Sequence, residues 1–450
     1  MKNLLGQIVL LVLLLAAAAG LSGCSMPEMV FNPEELYSLP ELPAKYTELN
    51  KQINAILEDG AEYAAPTSGT NIQPVQLVDL DGDGREEALA FFRNSADEKP
   101  LKIYIFAGND DSYERSDLIE ASGTSISSIA YNDLNGDGKV ELIVGWKAAA
   151  ELQVLEVYSL YGRASDGAET LVRTNYVRYI TADLERDQRQ ELVVLRADEE
   201  GGSVADYYRW QTDGTFAGQT SARISVTMAE LSQQGRVTSG TLQDGTPALY
   251  VTGVTDTAES ITDILTLRNG ELTNIVLSEQ SGVSTEISTF CGLYPSDIND
   301  DGVTEVPRAV YLENQNGTCA IVDWYGYETE GTSEPVLQTC HNTADGWFLR
   351  MPEAWRDAVR SSRAAASGET SVVFYIQEEA QPFLRIVAYT GTNRELRAVR
   401  GNQFLLSRQP ETIYTAELLE ANESWKGGVT ADEIRAGFSL ILSEWATGNN

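Results

Sequence analysis

Histidine is almost missing from this sequence: His341 is the one copy in 450 residues. That leaves little room for a Ser-His-Asp relay, a histidine metal centre or a histidine base. Its neighbours Asn342 and Thr343 suggest a solvated loop end. Positive charge is scarce too, with 32 Lys and Arg against 67 Asp and Glu and a formal net charge of −35. Such a field repels nucleic acid and attracts divalent or basic partners, so no nucleic-acid partner is expected. Cysteine is limited to Cys24, Cys291, Cys319 and Cys340. The absence of any C-x-x-C spacing argues against a zinc site, and for the last three residues a disulfide or free thiols both stay open. A full membrane span is lacking as well. The apolar run over residues 4–19 is broken by Gly6 and Gln7, and falls short of the roughly 20 residues a spanning helix needs.

Acidic turns are what the chain has in their place. In Asp79-Leu-Asp-Gly-Asp-Gly-Arg-Glu-Glu87, the side chains of Asp79, Asp81 and Asp83 can converge on one hard cation if the backbone curls, and Gly82 and Gly84 permit the curl. An EF-hand would place an acid at position 12 and a helix after the loop. Here position 12 is Ala90, the carboxylate arrives at position nine as Glu87, and Ala88-Leu-Ala-Phe-Phe92 reads as a buried strand.

The pattern recurs as Asp133-Leu-Asn-Gly-Asp-Gly-Lys-Val-Glu141 and Asp297-Ile-Asn-Asp-Asp-Gly-Val-Thr-Glu305, each followed by an apolar run. Asp183-Leu-Glu-Arg-Asp-Gln-Arg-Gln-Glu191 keeps the frame and loses both glycines, and a worn copy lies at 242–251. The steps between copies are 54, 50, about 59 and about 55 residues, near the roughly 40–50 residues of propeller blades. Four short strands per repeat are expected, as over residues 73–80, 87–93, 101–107 and 113–119. The predicted fold is therefore mainly β: a propeller of about five four-stranded blades, followed by a small α+β domain.

These turns resemble the FG-GAP/VCBS type of β-propeller repeat, whose D-x-D/N-G-D-G-x-x-E/D turn joins two blade strands and holds Ca²⁺. The resemblance covers about residues 70–342. It implies structural Ca²⁺ at Asp79, Asp81, Asp83 and Glu87 with the Arg85 carbonyl; at Asp133, Asn135, Asp137 and Glu141 with the Lys139 carbonyl; and at Asp297, Asn299, Asp301 and Glu305 with the Val303 carbonyl. The loop at Asp183 is expected to be metal-free, since Arg186 and the missing glycines oppose it.

Residues 1–23 read as an export signal, with Lys2 as its charged start and Leu21-Ser-Gly-Cys24 at its end. That tetrapeptide resembles the lipobox of bacterial lipoproteins, which implies acylation of Cys24, anchoring at the outer face of the bacterial cell membrane, and a mature chain beginning there. Residues 24–43 then form a tether. Residues 44–69 hold a helix, marked by Tyr46, Leu49, Ile53, Ile56 and Leu57, and a lead-in to the repeats.

Residues 343–450 are assigned to the α+β domain, with strands near 371–376 and 382–389. A helix is expected after the capping box Thr430-Ala-Asp-Glu433, with Ile434, Phe438, Ile441, Leu442 and Trp445 on one face. The segment Leu349-Arg-Met-Pro-Glu-Ala-Trp355 and the element order resemble the PsbP/Mog1-like sandwich. Trp347, Trp355 and Trp445 either pack in this core or form a ligand surface.

No catalytic constellation stands out, so an enzyme is not expected. The inner strands Val75-Gln-Leu-Val78 and Ile126-Ser-Ser-Ile129 carry only Gln and Ser as polar groups. The expected function is a lipid-anchored binding or scaffolding module for an extracellular protein or glycan. Two alternatives stay open: a carbohydrate-active propeller enzyme using paired carboxylates, and an accessory subunit of a cell-envelope complex.

Overall fold

The structure is a computed structural model that describes residues 44–109, 112–161, 167–312 and 320–441. The export signal, the tether, Cys24, Cys319 and Trp445 lie outside the described residues. The chain opens with helix α1 (Ala44–Glu58), and five antiparallel sheets follow in sequence order.

The first sheet holds β1 (Glu62–Tyr63), β2 (Val75–Val78), β3 (Glu87–Arg93), β4 (Leu101–Gly108) and β5 (Tyr113–Ala121). The second is β6 (Ser125–Asn132), β7 (Glu141–Lys147), β8 (Gln153–Ser159) and β9 (Glu169–Asn175). The third is β10 (Arg178–Ala182), β11 (Glu191–Ala197), β12 (Ser203–Trp210) and β13 (Phe216–Ile224). After the short helix α2 (Met228–Gln233), the fourth comprises β14 (Arg236–Thr241), β15 (Pro247–Val254), β16 (Glu259–Arg268) and β17 (Glu271–Asn274), with β18 (Ile287–Thr289) on β16. The fifth begins with β19 (Val306–Leu312), β20 (Ala320–Tyr327), β21 (Ser333–Asn342) and β22 (Trp347–Met351). Each of the five predicted repeats thus contributes one sheet.

Neighbouring sheets pack face to face, and the apolar runs after the acidic turns show why. Alternate residues of a strand point to opposite faces, so a strand covered on both sides must be apolar throughout. In β7, Leu142 and Val144 pack with Leu89, Phe91, Ile103 and Ile105 of the first sheet. The intervening Ile143 packs with Leu192 and Val194 of the third. In turn, Val193 and Leu195 meet Leu249 and Val251 of the fourth sheet, while Ala248 and Tyr250 meet Val306 and Tyr327 of the fifth. Phe91 is fully buried in the first of these layers, and Phe91→Ala there would cost about 3–5 kcal/mol.

Among the described residues, no hydrophobic cluster joins the first sheet to the fifth. The outer face of the first sheet is covered by α1, whose Leu49 and Ile53 pack on Ala88, Ala90, Phe92 and Phe106. The fifth sheet packs on a sixth, formed by β23 (Val359–Ala366), β24 (Glu369–Ile376), β25 (Gln381–Thr390), β26 (Phe404–Arg408) and β27 (Thr412–Leu418) in the order β23-β24-β25-β27-β26. Ile321, Cys340, Trp347 and Leu349 of the fifth sheet share one cluster with Trp355, Phe374, Phe383 and Ile386. Trp347 and Trp355 are core residues at 1% and 0% exposure, which removes them from any ligand surface.

Three sequence expectations need correction. The boundary at 342/343 falls within one sheet, because β21 pairs with β22 from Gln338↔Met351 to Asn342↔Trp347. The predicted C-terminal helical face is short. Helix α5 (Ala431–Gly437), which follows α3 (Arg394–Ala398) and α4 (Ala421–Ser424), keeps the Thr430/Glu433 capping box, but β28 (Phe438–Leu440) then pairs with β22 in the fifth sheet. Phe438 therefore reaches the core from a strand. His341 is no loop residue either. It lies in β21 at 1% exposure, stacked on Phe348 at 5.0 Å between ring centroids. No disulfide joins Cys291 to Cys340, and the two sit in different clusters.

Candidate functional site

Four acidic turns share one template, and it is built from the carboxylate at position one. Asp79 accepts from Gly82 N–H through Oδ1 at 2.8 Å and from Gly84 N–H through Oδ2 at 3.0 Å. Asp133 treats Gly136 and Gly138 the same way, at 2.7 and 2.9 Å. Asp297 accepts from Asp301 and Gly302 at 3.1 and 2.8 Å. Drawing the loop around one carboxylate demands left-handed backbone, which glycine adopts at little cost. Gly82 and Gly84 have φ of +73° and +87°.

The turn at Asp183 keeps this curl without glycine. Arg186 and Gln188 hold φ of +59° and +72°, and Asp183 accepts from Asp187 N–H at 3.1 Å and Gln188 N–H at 3.0 Å. The missing glycines therefore do not change the loop's path. The worn copy at Leu242 is a tight hairpin, with Asp244 accepting from Thr246 N–H at 2.9 Å and from the Thr329 hydroxyl at 2.7 Å. Those hydrogen bonds hold the Asp244 carboxyl down to about 2 against its burial.

Positions three and five continue the template. Asp83 N–H donates to Asp81, Asp137 N–H to Asn135 and Asp301 N–H to Asn299, at 3.1, 2.7 and 3.1 Å. Arg85, Lys139 and Val303 enter through their backbone, each N–H donating to the carboxylate two residues earlier at 2.8–2.9 Å. Position nine closes the loop from below. Glu87, Glu141, Glu191 and Glu305 accept from the N–H of Leu80, Leu134, Leu184 and Ile298 at 2.8, 3.0, 2.7 and 3.2 Å. The four glutamates are at most 4% exposed. Burial, aided by the aspartates nearby, raises the Glu87 carboxyl and pushes Glu141, Glu191 and Glu305 up to about 7.

The turns also touch one another in order. Val140 N–H donates to Leu80 O at 2.9 Å, and a Cβ on Gly82 would lie 2.4 Å from Gly138 O. A Cβ on Gly136 would lie 3.6 Å from Arg189 Cγ of the third turn, and one on Gly245 of the fourth 3.5 Å from Arg186 Nη2. The first four turns thus form one continuous row.

Residues 79–144 match the FG-GAP-like repeat family. The match starts at Asp79 and ends in β7, so it spans the first two acidic turns of this row. No curated protein matches the chain. Among solved structures, the chain is similar to a mutant of B. megaterium levansucrase at 10% identity, over 65% of this chain and 86% of that one, with a TM-score of 0.22.

The acidic turns present oxygen donors of the kind a hard cation would take. Ligand atoms of Asp79, Asp81 and Glu87 lie within 4.8 Å of one another, the one such group of acids among the described residues. In the second and fifth turns position three is Asn135 or Asn299, so an amide oxygen stands where Asp81 stands in the first. An ionised carboxylate has about four acceptor sites, so backbone N–H groups do not exhaust Asp79 or Asp133.

Two ion pairs, one on the buried Glu286 and one half-buried, escaped the sequence analysis. Arg308 holds Glu286 through Nε and Nη2 at 2.6–3.1 Å, with Tyr327 OH on the same carboxylate and the Tyr325 ring 3.7 Å from the guanidinium. Arg209 pairs with Glu185 in the third turn. Nothing local marks either partner; only the register of the strands brings them together.

Proposed function

We propose that this protein is a lipid-anchored, extracytoplasmic array of FG-GAP-like sheets that binds Ca²⁺ structurally and serves as a binding or scaffolding module for an extracellular protein or glycan. The observation that carries this reading is the repeated turn: one carboxylate organising the loop, oxygen donors at positions three and five, and a buried glutamate at position nine. Ca²⁺ accepts six to eight oxygen ligands in flexible geometry. The candidate ligands are Asp79, Asp81, Asp83 and Glu87; Asp133, Asn135, Asp137 and Glu141; and Asp297, Asn299, Asp301 and Glu305, with the carbonyls of Arg85, Lys139 and Val303. Glu87, Glu141 and Glu305 support the same reading, because among the described residues none of the three is paired with a cation and a bound cation would favour the ionised form. Extracellular modules bind Ca²⁺ at about 10⁻⁴–10⁻³ M, which suits sites that fill after export. Cys24 would carry the acyl chains.

The test is a glycan and protein array probed with the purified full chain in millimolar Ca²⁺ and in EDTA. A ligand captured in Ca²⁺ and released in EDTA supports the binding role; cleavage of a bound glycan would replace it with the enzyme reading. Labelling with radioactive palmitate that disappears in Cys24→Ser tests the anchor.

A further inference from the structure

The third turn differs from its neighbours at a position that only strand register reveals. Leu142 of the second sheet pairs with Tyr158, Leu192 of the third with Tyr208, Val306 of the fifth with Tyr325 and Ala88 of the first with Phe106. Extending each register by one residue past its last pair sets Ala107 against Glu87, Ser159 against Glu141 and Gly326 against Glu305. The same extension sets Arg209 against Glu191. Residues directly opposite in an antiparallel pair project from the same face, so Arg209 is the one long cation among three small residues at this place. Its guanidinium pairs with Glu185, the position-three residue of the turn. Position three has also changed, from the Asp or Asn of the other turns to a longer Glu that reaches across to Arg209.

We propose that Arg209 is the resident cation of the third turn, supplying from β12 the positive charge that Ca²⁺ supplies to the first, second and fifth turns. The inference rests on the calcium reading of those turns and adds a reason for the exception. The backbone of the third turn is not what excludes the metal, since Asp183 still gathers its N–H groups and Arg186 and Gln188 keep the left-handed curl. Asp183, Glu185, Asp187 and Glu191 offer oxygens at positions one, three, five and nine. A guanidinium on Glu185, the position-three oxygen donor, lowers the local demand for a divalent ion, and a fixed charge does so at any Ca²⁺ concentration. The consequence is a mixed array, in which the turn touching both the second and the fourth stays closed when the others are stripped of metal.

Equilibrium dialysis with radioactive Ca²⁺ on the full chain tests this, comparing the parent with Arg209→Ser, Arg209→Lys and Asp183→Ala/Arg209→Ser. Arg209→Ser, which installs the residue found opposite Glu141, should bind one Ca²⁺ more per chain than the parent. The other two variants should match the parent: lysine keeps the charge, and the double variant loses the carboxylate that organises the turn. Arg209→Gln, which keeps side-chain length without charge, gives the same count where Arg209→Ser does not fold. An unchanged count in both neutral variants would overturn the proposal. A parent that binds no Ca²⁺ defeats the calcium reading of the other turns, and one ion gained on removing Arg209 would still uphold the proposal for the third.

Discussion

Leu184 N–H donates to Glu191 Oε2 at 2.7 Å in the turn that has lost both glycines, as Leu80 does to Glu87 at 2.8 Å in the turn that keeps them. The buried apolar residue at position two and the glutamate at position nine therefore form a latch that does not depend on the loop's glycines. Leu80, Leu134, Leu184 and Ile298 are all at most 4% exposed. Their side chains anchor in the core while their amides are satisfied by the glutamate, which closes each turn onto the strand that follows.

This latch has a pH signature. Glu191 has a folded-state value of about 7 against an ordinary 4.5, because burial disfavours its charge. Between those values the folded chain holds a proton that the unfolded chain releases, so stability should fall as pH rises through the window from 4.5 to about 7. Urea midpoints in EDTA should be higher at pH 5 than at pH 8 for the parent. Glu191→Gln, still able to accept from Leu184 N–H, should show a shallower decline, and an identical decline would mean that Glu191 titrates normally.

His341 should act in the opposite direction. Burial lowers it to about 3, and among the described residues neither ring nitrogen has a hydrogen-bond partner. The unfolded chain takes up a proton below its value of 6.5, so this residue costs stability as pH falls from 6.5 towards 3. His341→Leu, of similar volume, should stabilise the protein by about 1–2 kcal/mol at neutral pH by removing unsatisfied polar atoms, and should reduce its acid sensitivity. Chemical denaturation at pH 7 and pH 5 reads both effects.

Contact between the first two turns can be separated from backbone strain. Gly82 and Gly84 both have positive φ, but a Cβ meets Gly138 O at 2.4 Å on Gly82 and nothing within 4 Å on Gly84. Gly84→Ala should cost about 1 kcal/mol. Gly82→Ala should cost at least about 1 kcal/mol more, since a carbonyl of the neighbouring turn must also shift. Equal losses in denaturant midpoint would show that the two turns part easily.

Much of this was legible in the sequence because it is local. Ala88-Leu-Ala-Phe-Phe92 reads as a strand covered on both faces, and the template of Asp79 repeats within nine residues. Helix α1 announced itself by the spacing of Leu49 and Ile53. What failed to show was long-range pairing. Phe348 pairs with Ser439 about 90 residues later, and no composition or periodicity encodes that partner, so the local pattern reads as helix where β28 lies and as a domain boundary inside a sheet. His341 looked exposed because polar neighbours follow it, yet the alternation of β21 turns it towards Trp324 and Phe348. Arg209 carries a signal visible once the strands are aligned on position nine, where it stands among Ala, Ser and Gly.

The most direct measurement is thermal unfolding of the full chain in EDTA and in millimolar Ca²⁺, beside an Asp79→Ala/Asp133→Ala/Asp297→Ala variant. At ten times the dissociation constant each site should add about 1.4 kcal/mol, so Ca²⁺ should raise the parent's midpoint by several degrees and leave the variant's unmoved. Equal midpoints of the parent with and without Ca²⁺ would contradict the calcium reading and leave the acidic turns as hairpins held by their own hydrogen bonds.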